Sequence, residues 1–272
     1  MGENWSRRSW LKVAAATPIV GLGGLRAGEG KLAAQPDEAA RREPVADLYP
    51  TQPPELVREM VTVSHFDVKR VKELVDARPT LANAAWDWGF GDWESALGAA
   101  SHMGNRPIAE YLIGKGARPS LFSAAMLGQL EVVKAFVAAQ PGVQRIRGPH
   151  SIPLLAHARA GGEASRGVFE YLESLGDAGA DTPPPLGEAE MNALKGTYVF
   201  GIGASQQIEI TVERGSLSWT RKGMTGRPLT HVGERAFHPA GSMSVRIRFA
   251  EDVGTMAMTV SDADMVVVAR RK

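Results

Sequence analysis

The sequence predicts an α+β protein with two folded regions, an α-helical repeat solenoid followed by a small antiparallel β-barrel or half-barrel. Three observations predict this class. Residues 54–181 are rich in Ala and Leu at helical spacing, and one pattern recurs along them. Residues 193–272 alternate apolar and polar side chains in short runs that end in turn residues. Between the two regions, residues 182–192 include three consecutive prolines, which can neither continue a helix nor enter a central strand.

The N-terminal residues predict an export signal. Arg7 and Arg8 stand in "SRRSWLK", ahead of a short, weakly apolar stretch and the small residues of "KLAAQP". This arrangement resembles the twin-arginine export signal, with Trp10 in place of Phe. The resemblance implies that residues 1–34 are a signal peptide and residues 35–53 a disordered linker. It also implies export in the folded state, by the twin-arginine machinery, to the periplasm or the outside of a bacterium. The apolar stretch is too short for a stable membrane anchor.

The composition narrows the function classes. The chain has 272 residues, a formal net charge of +1 and no cysteine. Disulfides, thiolate metal sites and cysteine nucleophiles are therefore excluded, and the balanced charge gives no reason to expect a nucleic acid partner. The six histidines form no H-E-x-x-H motif, and the sequence contains no nucleophile elbow. We therefore expect no enzyme activity, no catalytic residue, no bound metal and no cofactor.

A pattern of small residues repeats along the helical region. Each unit has a Leu, then small residues, then a Gly, and an apolar helical segment follows the first two of these glycines. The residues that carry the pattern are Leu97, Ala100 and Gly104; Leu121, Ala124, Ala125 and Gly128; and Pro153, Leu154, Ala158 and Gly161. The units resemble ankyrin repeats. That resemblance implies about four repeats over residues 54–181, the first of them a divergent cap, and a concave surface that binds other proteins.

The segment "WDWGFGDW", residues 86–93, concentrates aromatic side chains where an ankyrin stack has its finger loop. Trp86, Trp88 and Phe90 are two positions apart, so an extended backbone would place them on one face. That face either covers the stack or is offered to a partner, and Trp93, the nearest of the four to the following helix, either packs against the neighbouring repeat or binds the partner. We predict that all four residues bind an unidentified protein partner, because Trp is enriched among interface hot spots.

The C-terminal region predicts short antiparallel strands. "QIEITVE" places Ile208 and Ile210 on one face, and four further runs follow it. The opening "LKGTYVFG" and the later pattern with Leu229, Val232, Gly233 and Phe237 resemble the lipocalin-like C-terminal module of bacterial beta-lactamase-related peptidases. In those relatives the module is accessory and not catalytic. The inward side chains either fill this barrel or line a cavity for an apolar ligand; they are Trp219, Phe249, Met256 and Met258.

These observations favour an exported, non-enzymatic protein that uses its helical repeats to bind another protein. Two alternatives stay open. One is a carrier of a small apolar ligand in the C-terminal barrel. The other is a non-catalytic accessory to a co-exported enzyme. Because a repeat scaffold keeps its fold while its surface varies, the fold does not name the partner.

Overall fold

The computed structural model describes residues 50–179 and 183–272. The export signal with Arg7 and Arg8 lies outside these residues, as does almost all of the predicted linker 35–53. Among the described helices, none has the length and apolar character needed to cross a membrane. Residues Pro50–Lys272, which carry both predicted regions, form one compact unit.

Paired helices build the first region. They are α1 (Pro54–Val63), α2 (Val68–Ala77), α3 (Ala96–His102), α4 (Arg106–Gly114), α5 (Leu121–Met126), α6 (Leu130–Ala139), α7 (Leu154–Ala160) and α8 (Arg166–Ser174). The first helices of the pairs, α1, α3, α5 and α7, pack on one another in chain order. Among the second helices, α2 packs on α4 and α6 packs on α8. The small residues of the repeated pattern therefore lie where neighbouring first helices meet.

Polar side chains fix where several of these helices begin. The Ser95 hydroxyl accepts a hydrogen bond from a backbone N–H in the first turn of α3, and the Asn105 side chain does so for α4. At the start of α5, Ser120 and Ser123 form a reciprocal capping box. Each cap satisfies a backbone donor that the helix itself leaves unpaired, which is why short helices begin at these residues.

Two of the three glycines in the repeated pattern adopt the left-handed conformation that a tight turn requires. Gly104 has φ 68° and Gly128 has φ 77°. A Cβ on Gly104 would lie 2.1 Å from a backbone carbonyl oxygen of α7. In the third unit the left-handed residue is Gly162 (φ 64°), whereas Gly161 ends α7 in the right-handed region. Gly161 is still needed, because a Cβ there would lie 2.0 Å from a carbonyl oxygen of α5.

The C-terminal region is a closed antiparallel β-barrel, so the barrel prediction is confirmed and the half-barrel alternative is removed. Its strands are β3 (Gly196–Val199), β4 (Gln207–Glu213), β5 (Ser216–Arg221), β6 (Arg227–Gly233), β7 (Ala236–Pro239), β8 (Arg246–Asp252), β9 (Thr255–Asp262) and β10 (Met265–Arg271). Each strand pairs with its neighbours in the chain, and β10 closes the barrel by pairing with β3.

Aromatic and apolar side chains occupy the inside of the barrel. The four predicted inward residues are all buried, and the Phe249 ring meets those of Tyr198 and Phe237 edge-on at centroid distances of 5.5 and 5.6 Å. A further helix, α9 (Glu188–Leu194), begins inside the predicted linker 182–192. Leu194 is fully buried in the barrel core, and its carbonyl oxygen accepts a 2.8 Å hydrogen bond from the Tyr198 hydroxyl.

Candidate metal centre

The aromatic segment forms a β-hairpin between α2 and α3. Strand β1 (Ala85–Asp87) pairs with β2 (Trp93–Ser95), and residues 88–92 form the turn. Gly89, Phe90 and Gly91 have consecutive φ angles of 109°, 61° and 74°. The left-handed turn therefore begins before Phe90, and the expectation that Trp86, Trp88 and Phe90 share one face of an extended strand is wrong.

The hairpin sends its aromatic side chains to different places. Trp86 and Trp88 are partly buried against the helical core, whereas Phe90 packs against the barrel core. The Phe90 ring meets the Trp219 ring edge-on at 5.1 Å. Trp93 does not pack against the neighbouring repeat and is the most exposed of the four at 64%. Of the four predicted partner-binding residues, only Trp93 presents most of its surface to solvent.

The tip of the hairpin joins the helical region to the barrel. The Ser242 hydroxyl donates a 2.7 Å hydrogen bond to the carbonyl oxygen of Phe90. The backbone N–H of Gly241 donates to the Ser151 hydroxyl at 2.7 Å. Together with the packing of Phe90, the first bond holds the hairpin turn against the barrel, and the second holds the short turn that contains Ser151 there.

Beneath this junction lies a cluster of four side chains, those of His65, Glu94, His102 and His150. One nitrogen or oxygen atom from each residue lies within 4.8 Å of those of the other three. Glu94 is at the centre and its side chain is fully buried. Its Oε1 lies 2.9 Å from His102 Nε2, and its Oε2 lies 3.4 and 3.5 Å from Nε2 of His150 and His65.

Four separate parts of the chain supply this cluster. His65 follows the end of α1, Glu94 is the middle residue of β2, and His102 is the last residue of α3. His150 lies in a short 3₁₀ turn (Pro149–Ser151), where its φ of 59° is unusual for a residue other than glycine. Since such a conformation costs free energy, the contacts of His150 must hold it in place.

Hydrogen bonds turn two of the imidazole rings so that Nε2 faces the centre. His65 Nδ1 lies 3.1 and 3.0 Å from the carbonyl oxygens of Val61 and Thr62. A carbonyl oxygen only accepts, so Nδ1 carries the proton. His150 Nδ1 likewise faces a carboxylate oxygen of Asp92 at 2.7 Å. When each ring is neutral, its Nε2 then carries no proton and has the free lone pair that a metal ligand requires.

Asp92 supports His150 in two ways. Its Oδ1 accepts the backbone N–H of His150 at 2.9 Å, while its Oδ2 accepts the ring N–H. Arg227, the first residue of β6, donates from Nη1 to the same Oδ2 at 2.5 Å and from Nη2 to the carbonyl oxygen of Gly89 at 3.2 Å. Both partners of this ion pair are almost fully buried. The barrel therefore supplies a residue that supports a histidine of the cluster.

The electrostatics of the centre favour an ionised carboxylate. Burial alone would raise the pKa of Glu94, but hydrogen bonds with His102 and His150 outweigh it and lower this pKa to about 2. Burial would lower the pKa of His150, but the hydrogen bonds and charges of Asp92 and Glu94 raise it to about 9. The Asp92 pKa is also lowered, because its bonds to His150 outweigh burial. The Trp88 indole N–H adds a 2.7 Å hydrogen bond to Glu94 Oε2.

The spacing of the ligand atoms suits a first-row transition metal. Zinc binds imidazole nitrogen and carboxylate oxygen at about 2.0–2.2 Å, which places neighbouring tetrahedral ligands about 3.3 Å apart. The separations from Glu94 to the histidines, one from Oε1 and two from Oε2, lie between 2.9 and 3.5 Å, and all four ligand atoms lie within 4.8 Å of one another. Imidazole suits zinc, copper, iron and nickel, whereas calcium and magnesium prefer oxygen ligands alone. The donor set therefore fits a divalent transition metal.

Sequence reasoning did not find this cluster. It assigned no metal ligand and used the histidines only to exclude an H-E-x-x-H motif, which needs two histidines on one helix. Here the histidines come from different elements, and only the helix stack brings them together. The sequence does contain one local sign of the cluster. Glu94 stands eight residues before His102, at the end of a loop rich in aromatic residues.

Comparisons with known proteins name no function for these residues. No protein-family model matches the chain, and no curated protein matches it.

Proposed function

We propose that this chain binds one divalent transition metal ion, with zinc as the first to test, through His65, Glu94, His102 and His150. The observation that carries the proposal is the convergence of three histidines on one buried carboxylate, with two of the imidazoles oriented by their own partners. The carboxylate is already ionised, because hydrogen bonds with His102 and His150 lower the pKa of Glu94 to about 2. A bound cation would be held by this carboxylate and by one nitrogen atom from each of the three histidines.

Metal binding is tested with the purified full-length chain after treatment with a chelator. We expect isothermal titration with Zn²⁺, and elemental analysis after gel filtration, to give one zinc per chain. The variant His102→Gln removes a buried ligand and should lose most of that zinc. The variant His231→Gln, which changes a histidine outside the cluster, should keep it. Equal zinc content in both variants, or no zinc in the unmodified chain, would contradict the proposal.

We propose, as a second function, that the chain binds a protein partner through a surface that includes Trp93. The indole of Trp93 is 64% exposed on the hairpin, and large exposed aromatic side chains are typical of binding hot spots. The other three predicted residues expose less of their side chains to a partner, because each is partly buried within the fold; they are Trp86, Trp88 and Phe90. Capture from a bacterial periplasmic extract would test it, with Trp93→Ala as the variant and Ile202→Ala, an exposed change on the barrel, as the control.

The repeat and export predictions belong to the same proposal. An ankyrin origin of the helix pairs is supported by the chain-order packing of α1, α3, α5 and α7 and by the close backbone approach at Gly104 and Gly161. A lipocalin-like origin of the C-terminal region is supported by its closed antiparallel barrel. Export by the twin-arginine route rests on the sequence of the first residues alone. That route delivers proteins already folded, which suits a protein whose metal ligands meet only in the fold.

The remaining sequence predictions concern what the chain does not do or what its barrel holds. The absence of enzyme activity stays a prediction, and a metal centre is the place where activity would be sought. The carrier and accessory alternatives also stay predictions. The described interior residues of the barrel pack against one another, which favours the filled barrel over the ligand cavity.

A further inference from the structure

The proposed metal centre is closed on one side and open on the other. Glu94 is fully buried and the His102 side chain is 8% exposed, whereas those of His65 and His150 are 19% and 27% exposed. The protein therefore surrounds the Glu94 and His102 side of the centre. Solvent reaches the side on which His65 and His150 lie.

A small cavity opens onto that exposed side. It has a volume of about 160 Å³ and is lined by His65, Trp88, His150, Thr225 and Arg227. Two of its five lining residues are proposed metal ligands, so a molecule in the cavity lies beside the centre. The other three offer an indole, a hydroxyl and a guanidinium group. The volume suits a molecule of a few heavy atoms and not a large substrate.

The charges around the cavity favour an anion. Arg227 and Asp92 neutralise each other, and the only other carboxylate of the described centre is Glu94. A divalent ion held by Glu94 and three neutral imidazoles would leave a net charge of +1 in a mostly buried site, where an unbalanced charge is costly. Arg227 also has a buried Nε–H with no hydrogen-bond partner among the described residues. Both Nη atoms of Arg227 already bond to Asp92 and to the carbonyl oxygen of Gly89, so the proposed metal ion is the group that would attract the anion.

On the assumption that the metal site proposed above exists, we infer that its ion accepts a small carboxylate from this cavity as a fifth ligand. The centre would then be a site for an exchangeable ligand and not a purely structural metal site. Four protein ligands are typical of structural zinc sites, so the carboxylate adds a fifth ligand, an expansion that zinc undergoes in catalytic sites. The two most exposed ligands, His65 and His150, line the cavity from which it would approach.

The test uses the full-length chain loaded with Co²⁺, whose visible absorption reports on coordination. We expect acetate to change this spectrum with saturation in the millimolar range. Acetamide, which has a similar shape but no charge, should leave it unchanged, and sodium chloride controls for ionic strength. A cobalt spectrum that acetate does not alter would overturn carboxylate binding at the ion while leaving the metal site intact. Failure to take up cobalt at all would instead overturn the metal site itself.

A variant at the rim of the cavity locates the binding position. Thr225 is exposed in the loop between β5 and β6, so a larger side chain there should not disturb folding. We expect Thr225→Phe to take up cobalt normally and to bind acetate about tenfold more weakly, because the phenyl ring obstructs the cavity. Thr225→Ser is the matched control. Unchanged acetate affinity in Thr225→Phe would show that the anion binds elsewhere and would refute the inference.

Discussion

Asp92 connects the barrel to the metal centre, and Asp92→Asn tests that connection. The substitution keeps the size of the side chain but removes the charge that pairs with Arg227 and accepts the His150 N–H. Because the side chains of the pair are only 2% and 5% exposed, the remaining guanidinium would be buried without a counter-charge. Breaking a buried pair in this way costs about 3–5 kcal/mol. We expect the free energy of unfolding of the metal-free protein to fall by that amount.

The same substitution should weaken metal binding separately from its effect on stability. Asp92 orients His150 through two hydrogen bonds, at 2.9 and 2.7 Å, and removing such support for a ligand typically costs about 10–100-fold in metal affinity. Urea unfolding of the chelator-treated chain measures the first effect, and zinc titration against a competing chelator measures the second. The two measurements are independent because the first contains no metal.

A matched exposed pair provides the control. Arg270 and Asp252 are 2.7 Å apart, close to the 2.5 Å of the Asp92 pair, but their side chains are 56% and 37% exposed. Asp252→Asn should therefore change the free energy of unfolding by less than about 1 kcal/mol. If Asp252→Asn and Asp92→Asn destabilise the protein equally, burial of the Asp92 pair is not what makes it strong. If Asp92→Asn leaves the zinc affinity within about twofold of the unmodified chain, Asp92 does not orient His150 for the metal.

Three further predictions concern the fold around the centre. Burial lowers the pKa of His157 from 6.5 to about 4. The neutral side chain therefore contributes about 3 kcal/mol to the free energy of unfolding above pH 6.5, and this contribution is lost as the pH falls toward 4. Urea unfolding at pH 7 and pH 4 should show a smaller loss of stability for His157→Phe than for the unmodified chain, and parallel losses would contradict this. Gly104→Ala should destabilise by more than about 2 kcal/mol, because its Cβ would lie 2.1 Å from a carbonyl oxygen, whereas Gly114→Ala meets nothing within 4 Å and should be neutral or stabilising. Equal thermal midpoints for these two variants would refute that account. Phe90→Ala should lower the free energy of unfolding by about 1–3 kcal/mol. It should also alter the fluorescence of Trp219, whose ring meets that of Phe90 edge-on at 5.1 Å. An unchanged emission spectrum would mean that the two rings do not meet in solution.

Much of the architecture follows from local patterns in the sequence. Alternation predicted the strands that hold Ile208 and Ile210, and both residues face the barrel core. Leu121 and Leu154 begin helices at the positions that the repeated pattern assigned to them. These features depend on neighbours a few residues away, so they can be recognised without the fold. The closure of the barrel by β10 and β3 depends on a distant pairing, which alternation alone leaves open between a barrel and a half-barrel.

The metal centre depends on distances that no local pattern contains. His65 and His150 approach Glu94 only because α1, α3 and the turn around Pro149 pack together. The short aspartate-containing hairpin was interpreted from its aromatic residues, since these are uncommon in the chain. Its acidic residues carry more of the chemistry: Asp92 supports a histidine, and Glu94 lies at the centre of the cluster.

One hairpin therefore both contacts the barrel and supplies a proposed metal ligand, so these two interactions are coupled. Phe90, at its tip, packs against the barrel, and Glu94, on its second strand, would bind the metal. Asp92 lies between them and bonds to both Arg227 of the barrel and His150 of the cluster. If metal binding fixes the hairpin, it also favours docking of the barrel, and docking must raise the affinity for the metal by the same factor. The contact between barrel and helices is then part of the metal site, and the isolated helical region should bind metal more weakly than the full chain.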